Sequence, residues 1–253
     1  MENRKGVVMK KGFTLAEILI TLAIIGVVAA ISITTVVQDY KKTEAVARLK
    51  KAYSDISRIL YQAAYYNGTP LTSVSLNTMN AQELFDRYWK PYLKNAKLCA
   101  HPVDCGYNAS LKDAPWKELG TDKNLSCNQR NANGDIVAAI DVIHTDNNTR
   151  MLFSYGSGVV VFYPMGAKHD AADTEIRVRM NIFVVDINGP KPPNRVGRDV
   201  FMFQIDDKSK VQPYIGIGDN NNYKNDCVKG GAGYTCTAEI IKNGWAIKND
   251  YPW

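Results

Sequence analysis

The sequence is poor in histidine and lacks the common catalytic motifs. Its three histidines, His101, His144 and His169, stand far apart, and none falls in a metal-ligand spacing such as His-x-x-x-His. No Gly-x-Ser-x-Gly elbow, Walker loop or dinucleotide-binding glycine fingerprint occurs. These absences leave no positive argument for catalysis and no candidate catalytic or cofactor-binding residue. A basic stripe is missing as well. Of the formal charge of +6, half sits in the first 12 residues, where Arg4, Lys5, Lys10 and Lys11 stand against Glu2. The remainder is dispersed, so no nucleic acid is indicated as a partner. Charge of either sign is absent over the 20 residues from Ile18 to Val37. Nor is this the short apolar region of a secretory signal peptide, ending in a small-residue cleavage site. A charged helical pattern follows the run directly, so the segment reads as retained.

What is present begins with that run. At about 1.5 Å per residue it spans roughly 30 Å as a helix, the hydrocarbon thickness of a bilayer. Orientation does not follow from charge counting, because Lys41, Lys42, Arg48, Lys50 and Lys51 follow the span as densely as basic residues precede it. A single carboxylate, Glu17, stands at its mouth. Buried at the centre of a spanning helix such a group costs roughly 2.5 to 3.5 kcal/mol, and less near an interface, so it asks for a partner or must snorkel to water.

The stretch Lys10-Lys11-Gly12-Phe13-Thr14-Leu15-Ala16-Glu17, with the apolar run behind it, resembles the processing site of type IV prepilins and of the pseudopilins of type II secretion. Residues 10 to 65 carry the likeness. It implies a cytoplasmic leader of residues 1–12, cleavage by prepilin peptidase between Gly12 and Phe13, and N-methylation of Phe13. It also implies a filament-assembly role for Glu17, whose carboxylate would pair with the terminal amine of a neighbouring subunit. Both groups would gain energy from that pairing in a low-dielectric filament core. Gly26 fits the family pattern, and with Ala30 it forms a small-residue pair that lets helices approach closely. Where pilins often carry a helix-breaking proline, this sequence has Thr34, so the helix is expected to continue through the span.

Beyond Val37, apolar residues recur at Val46, Leu49, Tyr53, Ile56, Leu60 and Ala63, the spacing of one helix face. A helix is expected from Phe13 to about Tyr66, where Asn67-Gly68-Thr69-Pro70 ends it; that is about 80 Å of rod. A short helix should cover Ala81 to Trp89, with Asn80 as cap and Pro91 as stop. Strands are expected at Ile136–Ile140, Met151–Tyr155, Val159–Tyr163, Ile176–Ile187 and Val200–Ile205, with Tyr155-Gly156-Ser157-Gly158 as a hairpin turn. The fold class is therefore α+β: a long N-terminal helix, membrane-spanning in its first half (13–37), packed on the small antiparallel sheet of a pilin-like head (68–253).

Five cysteines follow the span, so at least one is free or pairs between molecules. Beyond an export signal they read as disulfides before metal ligands, even with His101 lying between Cys99 and Cys105. Cys99, Cys105 and Cys127 sit in a long stretch, Leu98 to Asp135, read as a surface loop. Their pairing is open, although a Cys99–Cys105 bridge could form locally. A Cys227–Cys236 bridge could close an eight-residue loop, contributing roughly 2 to 3 kcal/mol, and this resembles the disulfide-closed region near the end of type IV pilins. A helix from about Ala238 to Gly244 and the buried face of Trp245 would tuck the tail onto the head, unless Tyr251 and Trp253 form an exposed adhesive contact. Asp186-Ile187-Asn188-Gly189-Pro190, with Asp199 further on, resembles a hairpin stretch of pseudopilin-like heads. Its oxygens at Asp186, Asn188 and Asp199 are the alternative candidates for holding calcium, without the glutamate that closes an EF-hand loop. The loop Asp219–Asn222 with Asn225 and Asp226 has a similar composition.

The function these readings imply is a structural subunit of a type IV pilus or type II secretion pseudopilus. Its partners would be prepilin peptidase, other copies or other pilins in a helical filament, an inner-membrane assembly platform, and membrane lipid before assembly. The chain would be a single-pass protein of the bacterial inner membrane with an extracytoplasmic head, then part of a periplasmic or surface filament. The competing reading is a membrane-anchored binding or enzymatic domain whose leader resembles a prepilin by chance.

Overall fold

A computed structural model describes residues 12–69, 71, 81–100, 102–107, 116–121, 128–130, 136–139, 151–156, 158–163, 182–205, 210–215 and 226–253. The expectations that touch the leader up to Lys11, Asn80, His101, Cys127, Ile140, Ile176 to Asn181 and Asp219 to Asn225 lie outside the described residues. The chain forms two compact units, residues 1–42 and 43–253, each described by itself.

The first helix, α1, is Leu15–Asn67, and its residues fall in both units. Isoleucine, valine and threonine dominate its first half, alanine and charged residues are frequent in its second half, and no proline interrupts it. Thr34 stands within it and turns its hydroxyl back to the Ile31 carbonyl at 2.8 Å, which returns the side-chain donor to the helix itself. The expected continuity through the span holds. Up to Val37 the apolar side chains, from Leu15 and Ile18 to Val36 and Val37, are exposed in the isolated chain. The segment is long and apolar enough to cross a membrane.

In the second unit α1 is amphipathic. Ala45, Leu49, Ala52, Ile56, Ile59, Leu60 and Ala63 are buried, with Val46 and Tyr53 partly so. The outward face carries i,i+4 pairs, Glu44 with Arg48 and Lys51 with Asp55, each contributing a few tenths of a kcal/mol. The buried stripe packs on a six-stranded sheet made of β1 (Lys97–Cys99), β4 (Met151–Tyr155), β5 (Gly158–Tyr163), β6 (Ile182–Asp186), β7 (Val200–Ile205) and β8 (Val211–Pro213), hydrogen-bonded in that order. All five pairings are antiparallel. A separate hairpin joins β2 (Asn128–Arg130) to β3 (Ile136–Ala139). The helices α2 (Ala81–Tyr88) and α3 (Cys236–Lys242) complete the head. The α+β, pilin-like plan expected from the sequence is the fold observed.

Strand alternation divides the core. Phe153, Val160, Phe183, Val185, Phe201 and Phe203 join the cluster that holds α1, with Trp89 of the α2 turn centred 5.0 Å from Phe153 and 5.4 Å from Phe183. Their neighbours Leu152, Val159, Ile182, Val184, Val200 and Met202 form a second cluster with Tyr107, Trp116, Val196, Tyr214 and Tyr234. The sheet is thus covered on both faces, which is why every residue of β6 is buried.

Here the structure corrects one expectation. The stretch from Leu98 to Asp135 is more than a surface loop. It begins in an edge strand, and its Trp116 is 0% exposed with Tyr107 beside it. Lysine, asparagine and proline surround these aromatics in sequence and hid a cover for the second sheet face. At the C-terminus α3 begins at Cys236, slightly ahead of the expected start, and the buried Tyr251 overturns the alternative of an exposed adhesive contact there. Trp245 does tuck against the head, 5.4 Å from Tyr53 centre to centre. Phe183 belongs to the helix-facing cluster, fully buried on one of the two central strands. Phe183→Ala is expected to cost about 3 to 5 kcal/mol through the cavity it leaves, measured by urea unfolding of the detergent-solubilised chain followed by Trp fluorescence.

Candidate processing and assembly site

The N-terminal site is built by the first turn of α1. Gly12, Phe13 and Thr14 precede the helix in non-helical conformation, and Phe13 is 83% exposed. Among the described residues nothing lies within 4 Å of where a Cβ on Gly12 would stand. The fold does not itself require glycine there.

Thr14 and Glu17 form a reciprocal capping box. The Thr14 N–H donates to Glu17 Oε2 at 2.8 Å, the Thr14 hydroxyl donates to the same oxygen at 2.9 Å, and the Glu17 N–H donates to Thr14 Oγ1 at 3.2 Å. The first N–H groups of any helix lack intrahelical partners, and a Thr-x-x-Glu pattern supplies them. Glu17 therefore has a partner within its own chain. The Thr-Leu-Ala-Glu spacing ahead of the apolar run was the readable signal, one that a reading of Glu17 as an assembly charge alone passes over. Cleavage between Gly12 and Phe13 would leave the Phe13–Thr14 amide, and with it the box, intact. Thr14→Ala should cost about 0.5 to 2 kcal/mol of local helix stability. Amide hydrogen exchange of residues 15–18 in micelles should speed accordingly, while exchange in the head stays unchanged.

In the head the structure brings Asp186, Asn188 and Asp199 together at the connection between β6 and β7 and supplies the two carboxylates with proton donors. Asp186 ends β6 on the face opposite α1. Its Oδ2 accepts the Tyr107 hydroxyl at 2.7 Å and Trp116 Nε1–H at 3.0 Å, and its Oδ1 accepts the Asn188 N–H at 3.2 Å. Asp199 accepts the N–H of Asn194 at 2.8 Å and of Arg195 at 2.6 Å. Asn188 turns its amide to the Lys191 carbonyl at 3.0 Å. Hydrogen-bond donors thus face both carboxylates, while Asn188 Oδ1 is buried without a partner among the described residues. Among the described residues no group of three or more His, Cys, Asp or Glu side chains is placed to hold a metal. Sequence reading could not find Tyr107 and Trp116, which stand 79 and 70 residues from Asp186.

The same turn is the clasp of the head. Arg195 Nη1 donates to the carbonyls of Glu118 at 2.8 Å, Leu119 at 3.2 Å and Thr121 at 2.6 Å, tying the Trp116 segment to the turn. Gly197, at φ +80°, would place a Cβ 2.9 Å from Cys236 Sγ, so only glycine allows the turn to touch the C-terminal disulfide. The buried Tyr251 hydroxyl donates to the Gly197 carbonyl. Cys227 and Cys236 are bonded, as are Cys99 and Cys105, the local alternative among the first three cysteines.

Burial dominates the electrostatics of this clasp. It pushes the Asp186 carboxyl up to about 7, with the Asp199 charge adding to the rise, while the Tyr107, Asn188 and Trp116 donors oppose it. Asp199 is raised for the same first reason, and the Tyr107 phenol is pushed well above its usual range by burial and the Asp186 charge. Between about pH 4, where a free Asp titrates, and about pH 7 the folded chain then holds a proton at Asp186 that the unfolded chain has lost. Folding stability attributable to this group is complete below that window and declines across it as pH rises. Asp186→Asn should flatten this part of the pH dependence, seen as a smaller difference in urea midpoint between pH 4.5 and 7.5 than the unsubstituted chain shows.

Together these sites define a class before any likeness is considered: an α+β protein with a capped apolar N-terminal helix and a disulfide-closed antiparallel head. A family model described as the prokaryotic N-terminal methylation motif matches residues 9–33. The chain carries the prepilin-type motif of type IV pilins and pseudopilins. No curated protein and no solved structure matches it significantly.

Proposed function

We propose that this chain is a structural subunit of a type IV pilus or a type II secretion pseudopilus, cleaved between Gly12 and Phe13, methylated at Phe13 and assembled through α1. One observation carries the reading: a lone carboxylate, Glu17, stands four residues after Phe13 within the match to the methylation motif, at the mouth of an apolar run whose large side chains are exposed in the isolated chain. Before assembly that run is solvated by lipid, which is as apolar as leucine, so leaving the membrane gains little from the hydrophobic effect. Close packing of helices supplies the assembly energy instead. Gly26, around which an added Cβ would meet nothing within 4 Å, leaves room for a second backbone. The Phe13 amine of a neighbour and Glu17 would set the register. The leader of residues 1–12 lies on the cytoplasmic side, where prepilin peptidase works, and the head on the opposite side.

Mass spectrometry of the protein from a host with prepilin peptidase should find a mature form beginning at N-methylated Phe13; an intact or differently cut chain would sink the proposal. Glu17→Ala should be processed normally yet incorporate into filaments at least about tenfold less, as expected for loss of a charge pair in a desolvated contact. Normal incorporation of that variant, scored by immunoblot of sheared filaments, would refute the assembly role of the carboxylate.

A further inference from the structure

The loop closed by the C-terminal disulfide is held in shape by bonds that involve no sulfur. The Asp226 carboxylate accepts three successive backbone N–H groups from the far side of the loop: Ala232 at 2.8 Å and Gly233 at 3.0 Å on Oδ1, and Tyr234 on Oδ2. Successive N–H groups turned to one point make an anion-binding nest, and here the chain fills the nest with its own carboxylate. The turn inside is equally specific. The Gly231 N–H donates to the Val228 carbonyl at 2.9 Å, and a Cβ on Gly231 would stand 2.1 Å from the Asp226 carbonyl oxygen, which only glycine avoids. The rest of the head supports the same strand of chain, through Leu119 N–H to the Ala232 carbonyl at 3.0 Å and Gly120 N–H to the Gly231 carbonyl at 2.9 Å.

Cys227 directly follows the carboxylate, and Cys236 comes two residues after the last N–H it receives. The Cys236 N–H donates to the Gly233 carbonyl at 3.1 Å, which carries the order of the nest on to the cysteine. We propose that Asp226 is a positioning residue for oxidation: it folds the reduced loop so that the Cys236 thiol is presented to Cys227 and this pair forms in preference to others. The preference matters because the chain has five cysteines, so wrong pairs compete, and because Gly230, Gly231 and Gly233 would otherwise let the loop wander. Three charge-assisted hydrogen bonds raise the effective concentration of one thiol at the other without any covalent constraint.

Burial sets the order of the chemistry. Cys227 is half-buried and Cys236 fully buried, so a small disulfide oxidant such as oxidised glutathione reaches Cys227 first. The Cys227 thiolate attacks one glutathione sulfur, forming a mixed disulfide and releasing one glutathione thiolate. The Cys236 thiolate then attacks Cys227 Sγ and displaces the second. Two thiols become one disulfide, two electrons pass to one oxidised glutathione, and the two protons end on two reduced glutathione thiols.

The test uses the full chain in detergent, equilibrated with glutathione redox buffers, trapped by alkylation and mapped by peptide mass spectrometry. Asp226→Ala and Asp226→Asn should each lower the equilibrium constant for the Cys227–Cys236 pair by about tenfold or more, the loss expected when several charge-assisted bonds go. The Cys99–Cys105 constant should stay unchanged. A Cys227–Cys236 constant within about threefold of the unsubstituted chain, or an equal fall in both pairs, would overturn the proposal, the second outcome marking a general folding defect. A second variant, Cys227→Ser with Cys236→Ser, keeps the question decidable if the Asp226 variants do not fold. With the sulfurs gone, the amides of Ala232, Gly233 and Tyr234 should keep their slow hydrogen exchange, because the carboxylate orders them. Loss of that protection would show that the disulfide orders the loop, and the assignment to Asp226 would fall.

Discussion

A peptide segment that enters a bilayer finds no water for its backbone, so every N–H and C=O must be satisfied from within. For the run from Ile18 to Val37 this leaves the helix as the only solution, and α1 is helical throughout it. The constraint becomes acute at the helix start, where the first N–H groups have no carbonyl to reach. Thr14 and Glu17 meet it by bonding to each other's backbone. The carboxylate at the mouth of the run is thus accounted for before any neighbour arrives. Assembly, on the proposed function, would trade or share a bond that already exists, which lowers the cost of carrying the charge while the subunit waits in the membrane.

The head answers a different problem, that of covering both faces of a sheet with limited chain. One face takes the outer half of α1 and the α2 turn. The other takes scattered aromatics, Tyr107, Trp116, Tyr214 and Tyr234, delivered by irregular segments. Irregular segments bring backbone polar groups with them, and these need partners. Arg195 meets three carbonyls, while Asp199 and Asp226 between them meet five N–H groups. The charged residues of the clasp act as substitutes for a strand's neighbours. Asp186 shows what this costs: its burial is compensated by Tyr107 and Trp116, yet its carboxyl remains raised.

How much of this could be read from residues alone differs between the two parts. Periodicity of three and four located the buried stripe of α1 through Leu49, Ile56, Leu60 and Ala63, and β-branched runs located β4, β5 and β7 within a residue. The edge strands β1 and β8 escaped because each has three residues, too few for alternation to register. The capping box is legible in the Thr-x-x-Glu spacing of Thr14 and Glu17, whose carboxylate also carries the only side-chain charge between Gly12 and Val37. Asp226 looked like one member of an acidic, asparagine-rich loop; that its carboxylate would meet three amides six to eight residues on depends on where glycines let the chain turn.

What the sequence by itself determined is whatever rests on local spacing: the apolar length of the span, the processing motif around Gly12 and Phe13, the stripe on α1, and the reach of each cysteine pair close in sequence. Local spacing suffices there because a helix, a membrane and a short loop each impose a fixed repeat or distance on neighbouring residues. Only the tertiary structure decided that Trp116 is core, that Asp186 meets Tyr107, and that Gly197 touches the disulfide at Cys236. These contacts join segments tens of residues apart, and their partners are chosen by which surfaces the sheet leaves uncovered, a property no single stretch of chain possesses.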